Sequence, residues 1–237
     1  AMSRSDVIGS TPVLRFDRAE RWAHRGFGLL MGVCLITAAL LYLPGIGAVV
    51  GQRDVVRLVH LAAGFALPVP LLLGYAASGR FRADVRRLGR FSETDWLWLR
   101  SADRGTASLP VGKFNAGQKL NSAFTLGALV VMLATGAVMT FASSFPDDVR
   151  TGATFTHDWL ALAVAVVLAG HLYMAYGDPG AREGMRTGVV TAGWAAVHHP
   201  GWVGVVPDEA PGEATPAQGG SATGPAGRED TIATPES

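Results

Sequence analysis

The sequence predicts an all-α integral membrane protein, a bundle of four transmembrane helices. Of its 237 residues, 49% are hydrophobic and only 16% are charged, and the mean hydropathy of +0.27 is higher than an ordinary soluble domain shows. Asp, Glu, Lys and Arg are absent from four blocks: 26–52, 58–79, 120–146 and 159–177. Each block has close to the roughly 20 residues that a helix needs to cross the hydrocarbon core.

The charge-free blocks predict helices over roughly 24–44, 56–77, 118–141 and 156–176. The first block is not expected to be a cleaved signal peptide, because a polar, arginine-bearing segment precedes it and no convincing small-residue cleavage site follows. We assign residues 1–22 to an N-terminal segment and 23–203 to the four-helix domain. Residues 204–237 have few large apolar side chains and predict a disordered tail. Cys34 lies mid-span and predicts plain packing.

The distribution of basic residues predicts the orientation of the chain. Lys and Arg number 5 before the first helix, 9 in the 78–119 connection and 3 after the fourth helix. Only 2 lie between the first and second helices and 1 between the third and fourth, so the totals are 17 against 3. Because basic residues concentrate on the cytoplasmic side, we expect both termini and the middle connection to be cytoplasmic.

The 78–119 connection combines many basic residues with aromatic side chains. A nucleic-acid interface is one interpretation, but Arg80 to Arg90 directly follow a predicted span, where basic residues usually meet anionic lipid headgroups. We therefore expect contact with membrane lipids and no nucleic-acid partner. Ser92 and Asp95 have the spacing of a capping box and predict a short surface helix.

Four of the six histidines lie near the ends of predicted spans. His24 is near the cytoplasmic start of the first helix, and His60 is near the outer start of the second. The fourth helix begins outside at His157, and His171 follows 14 residues later, about 21 Å along the helix and within about 40° of the same face. The topology therefore pairs His24 with His171 at one depth and His60 with His157 at the other.

The pairing in depth points to a ligand role for these histidines. A single histidine at the end of a span is commonly an interfacial hydrogen-bonding group, but ionisable residues within spans usually mark function. Neutral imidazole ligates iron, and facing helices of a bundle often hold haem. Haem with two imidazole ligands has no open coordination position and suits electron transfer, whereas zinc would need three or four ligands at each depth. A haem-free membrane anchor or transporter subunit is the alternative.

Five short motifs carry a resemblance to a known family: RFDRAERWAHR (15–25), VHLAAG (59–64), GKFNAGQKL (112–120), GHLYM (170–174) and HHPGW (198–202). With the four-span layout, they make residues 13–203 resemble the cytochrome b (gamma) subunit of membrane-bound respiratory formate dehydrogenase. The resemblance implies two b-type haems, one with axial ligands His24 and His171 and one with His60 and His157. It also implies a bacterial inner-membrane location.

The resemblance further implies that a quinone, menaquinone or ubiquinone, is reduced beside the cytoplasmic-side haem. The polar pocket of the family matches Asn115 and Gln118, for which capping of the third helix is the alternative role. Arginines at the haem depths predict contacts with haem propionates, although any arginine at a membrane end lies at such a depth: Arg21, Arg25, Arg57 and Arg150. His198 and His199 lie beyond the fourth span and precede a proline, so we expect a structural role for them.

The partners implied by the resemblance are an iron–sulphur (beta) subunit and, through it, a catalytic (alpha) subunit on the outer side. The chain has no iron–sulphur or molybdopterin motif, so formate is not expected to be oxidised here. Electrons would pass from the outer haem to the inner haem and then to the quinone. Related cytochromes b serve hydrogenases and thiosulfate reductases, and the sequence leaves the donor open.

Overall fold

The computed structural model describes residues 9–43, 51–101 and 109–203. Four helices in this part of the chain are long and apolar enough to span a membrane: Arg18–Tyr42, Arg53–Ala77, Ala116–Thr140 and Asp147–Gly177. The prediction of an all-α bundle with four membrane spans is confirmed. The tail predicted to be disordered at 204–237 lies outside the described residues.

The first span starts earlier than its charge-free block predicted. After the short strand β1 (Pro12–Leu14), helix α1 (Arg18–Tyr42) begins behind an Asp17 cap. The Asp17 carboxylate accepts from the Glu20 N–H at 2.8 Å, and the Glu20 carboxylate accepts from the Asp17 N–H at 2.6 Å. This capping box satisfies two free donors of the first turn, so a charged turn precedes the apolar part of the helix.

A proline divides the second span into α2 (Arg53–Ala66) and α3 (Pro68–Ala77). Proline has no N–H for a helical hydrogen bond, which interrupts the helix at the preceding residue. Leu67 nevertheless keeps helical dihedral angles of −50° and −43°, and its N–H bonds to the Gly64 carbonyl at 3.2 Å. The two helices therefore continue as one membrane span.

The described part of the middle connection contains two short helices, α4 (Gly79–Leu88) and α5 (Glu93–Arg100). Ser78 caps the start of helix α4, and its hydroxyl accepts from the Phe81 N–H at 3.0 Å. Helix α5 begins with the capping box predicted from Ser92 and Asp95: the Ser92 N–H donates to the Asp95 carboxylate at 2.7 Å. The short surface helix is confirmed.

The third and fourth spans, α6 (Ala116–Thr140) and α7 (Asp147–Gly177), are joined by a short 3₁₀ turn at Ala142–Ser144. Helix α7 begins nine residues before the predicted start at 156. Asp147 and Asp148 occupy its first turn, where negative charge is favoured by the helix dipole. Charged residues therefore lengthen this helix beyond the apolar block that identified it.

After the fourth span come α8 (Pro179–Thr187), strand β2 (Val189–Thr191), α9 (Ala192–His198) and α10 (Pro200–Val203). Strand β2 pairs antiparallel with β1, with Val13 opposite Val190, a small sheet that the sequence did not predict. The pairing joins the two ends of the described chain. We call this end of the bundle, comprising 9–17, 78–101, 109–115 and 178–203, the polar end.

The spans pack as two hairpins, α1 against α2 and α3, and α6 against α7, which contact each other through α2 and α6. A buried cluster of Cys34, Ala63, Leu67 and Leu129 lies where the hairpins meet, and the prediction that Cys34 serves packing is confirmed. Large apolar side chains elsewhere on the spans are exposed, for example Leu29 (70%) and Leu72 (65%). Such a surface requires a lipid or protein environment.

Candidate functional site

The structure brings His24 and His171 together near the polar end. His24 lies in the second turn of α1 and His171 near the end of α7. Their ring centroids are 6.1 Å apart with an interplanar angle of 49°. Both side chains are exposed on the protein surface. We call these residues the polar-end pair.

The structure also brings His60 of α2 and His157 of α7 together, farther along the bundle. Their ring centroids are 6.3 Å apart and the rings are tilted by 67°, and both side chains are half-buried. We call these residues the distal pair. Because α7 contributes His157 to one pair and His171 to the other, the pairs lie at two depths about 21 Å apart.

The spacing of both pairs fits one metal ion between two imidazoles. With metal–nitrogen bonds of about 2.0 Å and each coordinating nitrogen about 1.1 Å from its ring centroid, two rings across one ion have centroids roughly 6.2 Å apart. Rotation of a ring about its metal–nitrogen bond changes the tilt but not this distance. Several glycines have no atom within 4 Å of where a Cβ would lie: Gly28, Gly32, Gly64 and Gly170. The centroid spacing and the space beside these glycines both fit a flat iron macrocycle.

Two threonines that the sequence analysis missed contact the distal pair. Thr37 Oγ1 lies 2.9 Å from His60 Nδ1, and Thr135 Oγ1 lies 2.9 Å from His157 Nδ1. Each threonine belongs to a different helix from its histidine, and the partners are 23 and 22 residues apart. No spacing rule within a single helix reveals such a contact, so the sequence carries no signal for it.

Three of the four predicted propionate-binding arginines make other contacts. Arg21 Nη1 donates to the Arg186 carbonyl at 2.8 Å, and Arg25 Nη2 donates to the same carbonyl at 2.9 Å. Both guanidinium groups therefore cap the C-terminal end of α8, where cations are favoured. Arg150 pairs with Asp147, and Arg57 is exposed on α2. Propionate contact stays a prediction for all four.

Asn115 and Gln118 form a capping box at the start of α6. Asn115 Oδ1 accepts from the Gln118 N–H at 2.9 Å, and Gln118 Oε1 accepts from the Asn115 N–H at 3.0 Å. The two amides also line a small open cleft, together with Trp98, Asp178, Trp194 and His199, among others. The described residues that line the cleft do not include His24 or His171. The oxygens serve the helix, which leaves the amide N–H₂ groups as donors for a ligand.

His199 is buried at the polar end, whereas His198 is exposed beside Trp194. His199 Nδ1 lies 2.7 Å from the Gly112 carbonyl and must donate to it, so Nε2 accepts from Arg15 Nη2 at 3.0 Å. Burial and the Arg15 guanidinium lower the pKa of His199 to about 4. His199 is therefore neutral and joins three segments of the chain, in keeping with the expected structural role.

A second buried cluster at the polar end was not predicted. Lys113 bonds to the Asp84 carboxylate and lies 3.8 Å from Glu20 Oε1, and Asp84 also accepts from Arg87 at 2.7 Å. Arg15, only 2% exposed, stacks over Trp194 at 4.5 Å from the ring centroid. Burial lowers the pKa of Arg15 to about 10, so the group stays charged at neutral pH. Buried charges of this kind are stable only when paired.

Comparisons with known proteins identify the family to which the sequence is similar. A family model described as prokaryotic cytochrome b561 matches residues 15–180. The nitrate-inducible formate dehydrogenase cytochrome b556(Fdn) subunit of Escherichia coli (strain K12) is 27% identical over 209 residues, which cover 85% of this chain and 92% of that protein. The cytochrome b556(fdo) subunit of the same strain is 26% identical, over 85% and 94%. The formate dehydrogenase cytochrome b556 subunit of Haemophilus influenzae (strain ATCC 51907) is also 26% identical, over 85% and 86%.

Proposed function

Because this chain belongs to the prokaryotic cytochrome b561 family, we propose that it is the di-haem cytochrome b subunit of a formate dehydrogenase-type respiratory complex. In this role it passes electrons from an iron–sulphur subunit to a quinone. The observation that carries the proposal is the arrangement of four histidines as two facing pairs, 6.1 and 6.3 Å between centroids. The relatives named as formate dehydrogenase subunits support the choice of complex.

Each histidine pair would supply two imidazole ligands to the iron of one haem b. Haem bound in this way would supply one-electron transfer without an open coordination position. The contribution of the chain is to fix the ring positions on three helices: α1, α2 and α7. The space beside Gly28, Gly32, Gly64 and Gly170 would accommodate the macrocycle.

The cleft at the start of α6 is the proposed quinone site. Asn115 and Gln118 line it where α6 leaves the polar end, near which His24 and His171 also lie. Their oxygens are engaged in the capping box, so an amide N–H would donate to a quinone carbonyl and stabilise the negative charge that develops there.

The proposed orientation places the polar end in the cytoplasm of a bacterial cell and the protein in the inner membrane. The bias of 17 basic residues against 3 supports this orientation. The distal pair would then face the outer side, where an iron–sulphur subunit and a catalytic subunit would deliver electrons. Formate oxidation would occur in that catalytic subunit.

Haem content of histidine variants tests the proposal. We expect the purified wild-type protein to contain two haems and to give a b-type α band on reduction. Replacing His24 or His171 by alanine should remove one haem, and replacing His60 or His157 should remove the other, whereas His198→Ala should keep both. Wild-type protein without haem would support a membrane anchor or transporter subunit instead, and retention of two haems in all four variants would refute the ligand assignment.

Quinone reduction is tested separately by two nearly isosteric changes. Asn115→Asp and Gln118→Glu keep the oxygens that cap α6 but remove the amide N–H donors. In the assembled complex we expect slower turnover with quinone, unchanged haem content and an unchanged thermal midpoint. Asn115→Ala also removes the cap and should cost about 1 kcal/mol of stability. Full quinone turnover in both isosteric variants would restrict these residues to helix capping.

A further inference from the structure

We propose that Thr37 and Thr135 are positioning residues that lower the reduction potential of a haem held by the distal pair relative to a haem held by the polar-end pair. The inference rests on the proposed di-haem function. It concerns the two threonine hydroxyls and the Nδ1 atoms of His60 and His157, at 2.9 Å in both cases.

The hydrogen bonds of Thr37 fix the direction of its contact with His60. Thr37 Oγ1 lies 2.7 Å from the Val33 carbonyl and 3.0 Å from the Cys34 carbonyl. A carbonyl only accepts and a hydroxyl carries one proton, so that proton points to the backbone. Towards His60 the hydroxyl can therefore only accept, and Nδ1 must carry the hydrogen. In a neutral imidazole this leaves Nε2 with a free lone pair.

Thr135 fixes the second ring of the distal pair in the same way. Its hydroxyl lies 2.8 Å from the Val131 carbonyl and 3.2 Å from the Met132 carbonyl, so it also accepts from His157 Nδ1. Both rings of the distal pair are thus held as the tautomer whose Nε2 is free to bind iron. This tautomer follows from protein hydrogen bonds alone, before any metal is considered.

The hydrogen bonds also alter the electronic properties of the ligands. An imidazole that donates its second N–H to an acceptor is the more basic ligand, and a more basic ligand stabilises the oxidised, more positively charged iron. The polar-end pair differs: within the described residues, no hydrogen bond reaches a ring nitrogen of His24 or His171, whereas both rings of the distal pair donate to a threonine hydroxyl. The distal level is therefore the more reducing of the two.

The alternative role for these threonines is to bond only to the preceding helical turn. Thr140 does this on α6, where its hydroxyl donates to the Gly136 carbonyl at 2.7 Å. Thr140 therefore provides a matched control, because Thr140→Val removes the same kind of backbone bond at a threonine that bonds to no histidine in the described part of the chain. A change seen with Thr37 or Thr135 but not with Thr140 belongs to the histidine contact.

The test is a redox titration of the haem α bands in the purified protein with Thr37→Val, Thr135→Val and the double variant. We expect one haem to shift to a more positive potential. In the double variant its oxidised-to-reduced ratio at fixed ambient potential should change about ten-fold, which for one electron is about 59 mV. The other haem should keep its potential, Thr140→Val should shift neither, and Thr37→Ser should restore the hydroxyl acceptor and the wild-type value.

Three results would overturn the inference: unchanged potentials in both single valine variants, equal shifts of both haems, or the same shift with Thr140→Val. The two threonines lie on different helices, so each single variant tests it independently if the other does not fold. Wild-type protein without two haems would contradict the proposed function itself. Two haems with unmoved potentials would contradict only the role of the threonines.

Discussion

Residues 192–203 (the C-terminal segment) should dock less tightly at the polar end as the pH falls. The docked site holds His199 neutral, so protonation of this ring favours the undocked segment. Burial is the main reason that the pKa of His199 falls from 6.5 to about 4, and Arg15 and His198 lower it further. The Gly112 carbonyl and Asp178 act in the opposite direction. A second ring proton would sit on Nε2, which faces the Arg15 guanidinium at 3.0 Å.

The magnitude follows from the difference between the two pKa values. At about 1.36 kcal/mol for each pH unit, the step from 6.5 to about 4 corresponds to about 3.4 kcal/mol. The undocked segment takes up a proton as the pH falls below 6.5, whereas the docked segment does not until about pH 4. The stabilising effect is therefore fully present above pH 6.5 and lost progressively towards pH 4. At pH 5 the loss is about 2 kcal/mol, or roughly 30-fold in the docking equilibrium.

Hydrogen exchange of the peptide that covers residues 192–203 measures this equilibrium. The Gly201 N–H, which donates to the Val111 carbonyl at 2.9 Å, should lose roughly 30-fold of its protection between pH 8 and pH 5 after correction for the intrinsic exchange rate. His199→Gln should flatten the pH dependence, whereas His198→Gln should leave it unchanged. Equal protection of the wild type at both pH values, or an unaltered pH dependence in His199→Gln, would refute the reasoning.

Two further predictions concern the fold and the topology. Gly188→Ala should destabilise the protein by about 1–3 kcal/mol in a thermal unfolding experiment. Gly188 has a φ of +94°, and an added Cβ would clash with the Phe16 carbonyl. Gly177→Ala is the control, because an added Cβ there would have no atom within 4 Å. In a Cys34→Ala background, a cysteine at Asp148 should react with an impermeant reagent in intact cells and one at Glu93 should not, since the basic residues place Glu93 on the cytoplasmic side. The reverse labelling pattern would invert the proposed orientation.

The sequence predicted the number and approximate position of the membrane spans because absence of charge is a direct requirement of the hydrocarbon core. It was less accurate about helix starts. The Asp17–Glu20 capping box and the acidic first turn of α7 extend those helices into polar sequence, and no hydropathy rule detects this extension. The three-residue strands β1 and β2 were missed, since their pairing joins segments nearly 180 residues apart.

The sequence likewise predicted some features of the candidate site and missed others. The depths of the four histidines follow from topology, and the facing pairs found in the structure have that arrangement. The neighbours of the histidines depend on the rotation of each helix about its axis, which the sequence does not determine. Thr37 and Thr135 could therefore not be predicted, and Arg21 and Arg25 were expected at haem propionates although they contact the end of α8.

The contacts of the polar end add a constraint that the charge bias alone does not contain. The bias orients each helical hairpin separately, whereas the structure ties three segments together: Arg15 bonds to His199, and His199 bonds to the Gly112 carbonyl. These buried contacts form only if the N-terminal segment, the middle connection and the C-terminal segment lie on the same side of the membrane. Inversion of either hairpin would separate the partners and leave charges such as Arg15, 2% exposed, without them. Arg15 therefore contributes both to the charge bias that directs the topology and to the contacts that stabilise it.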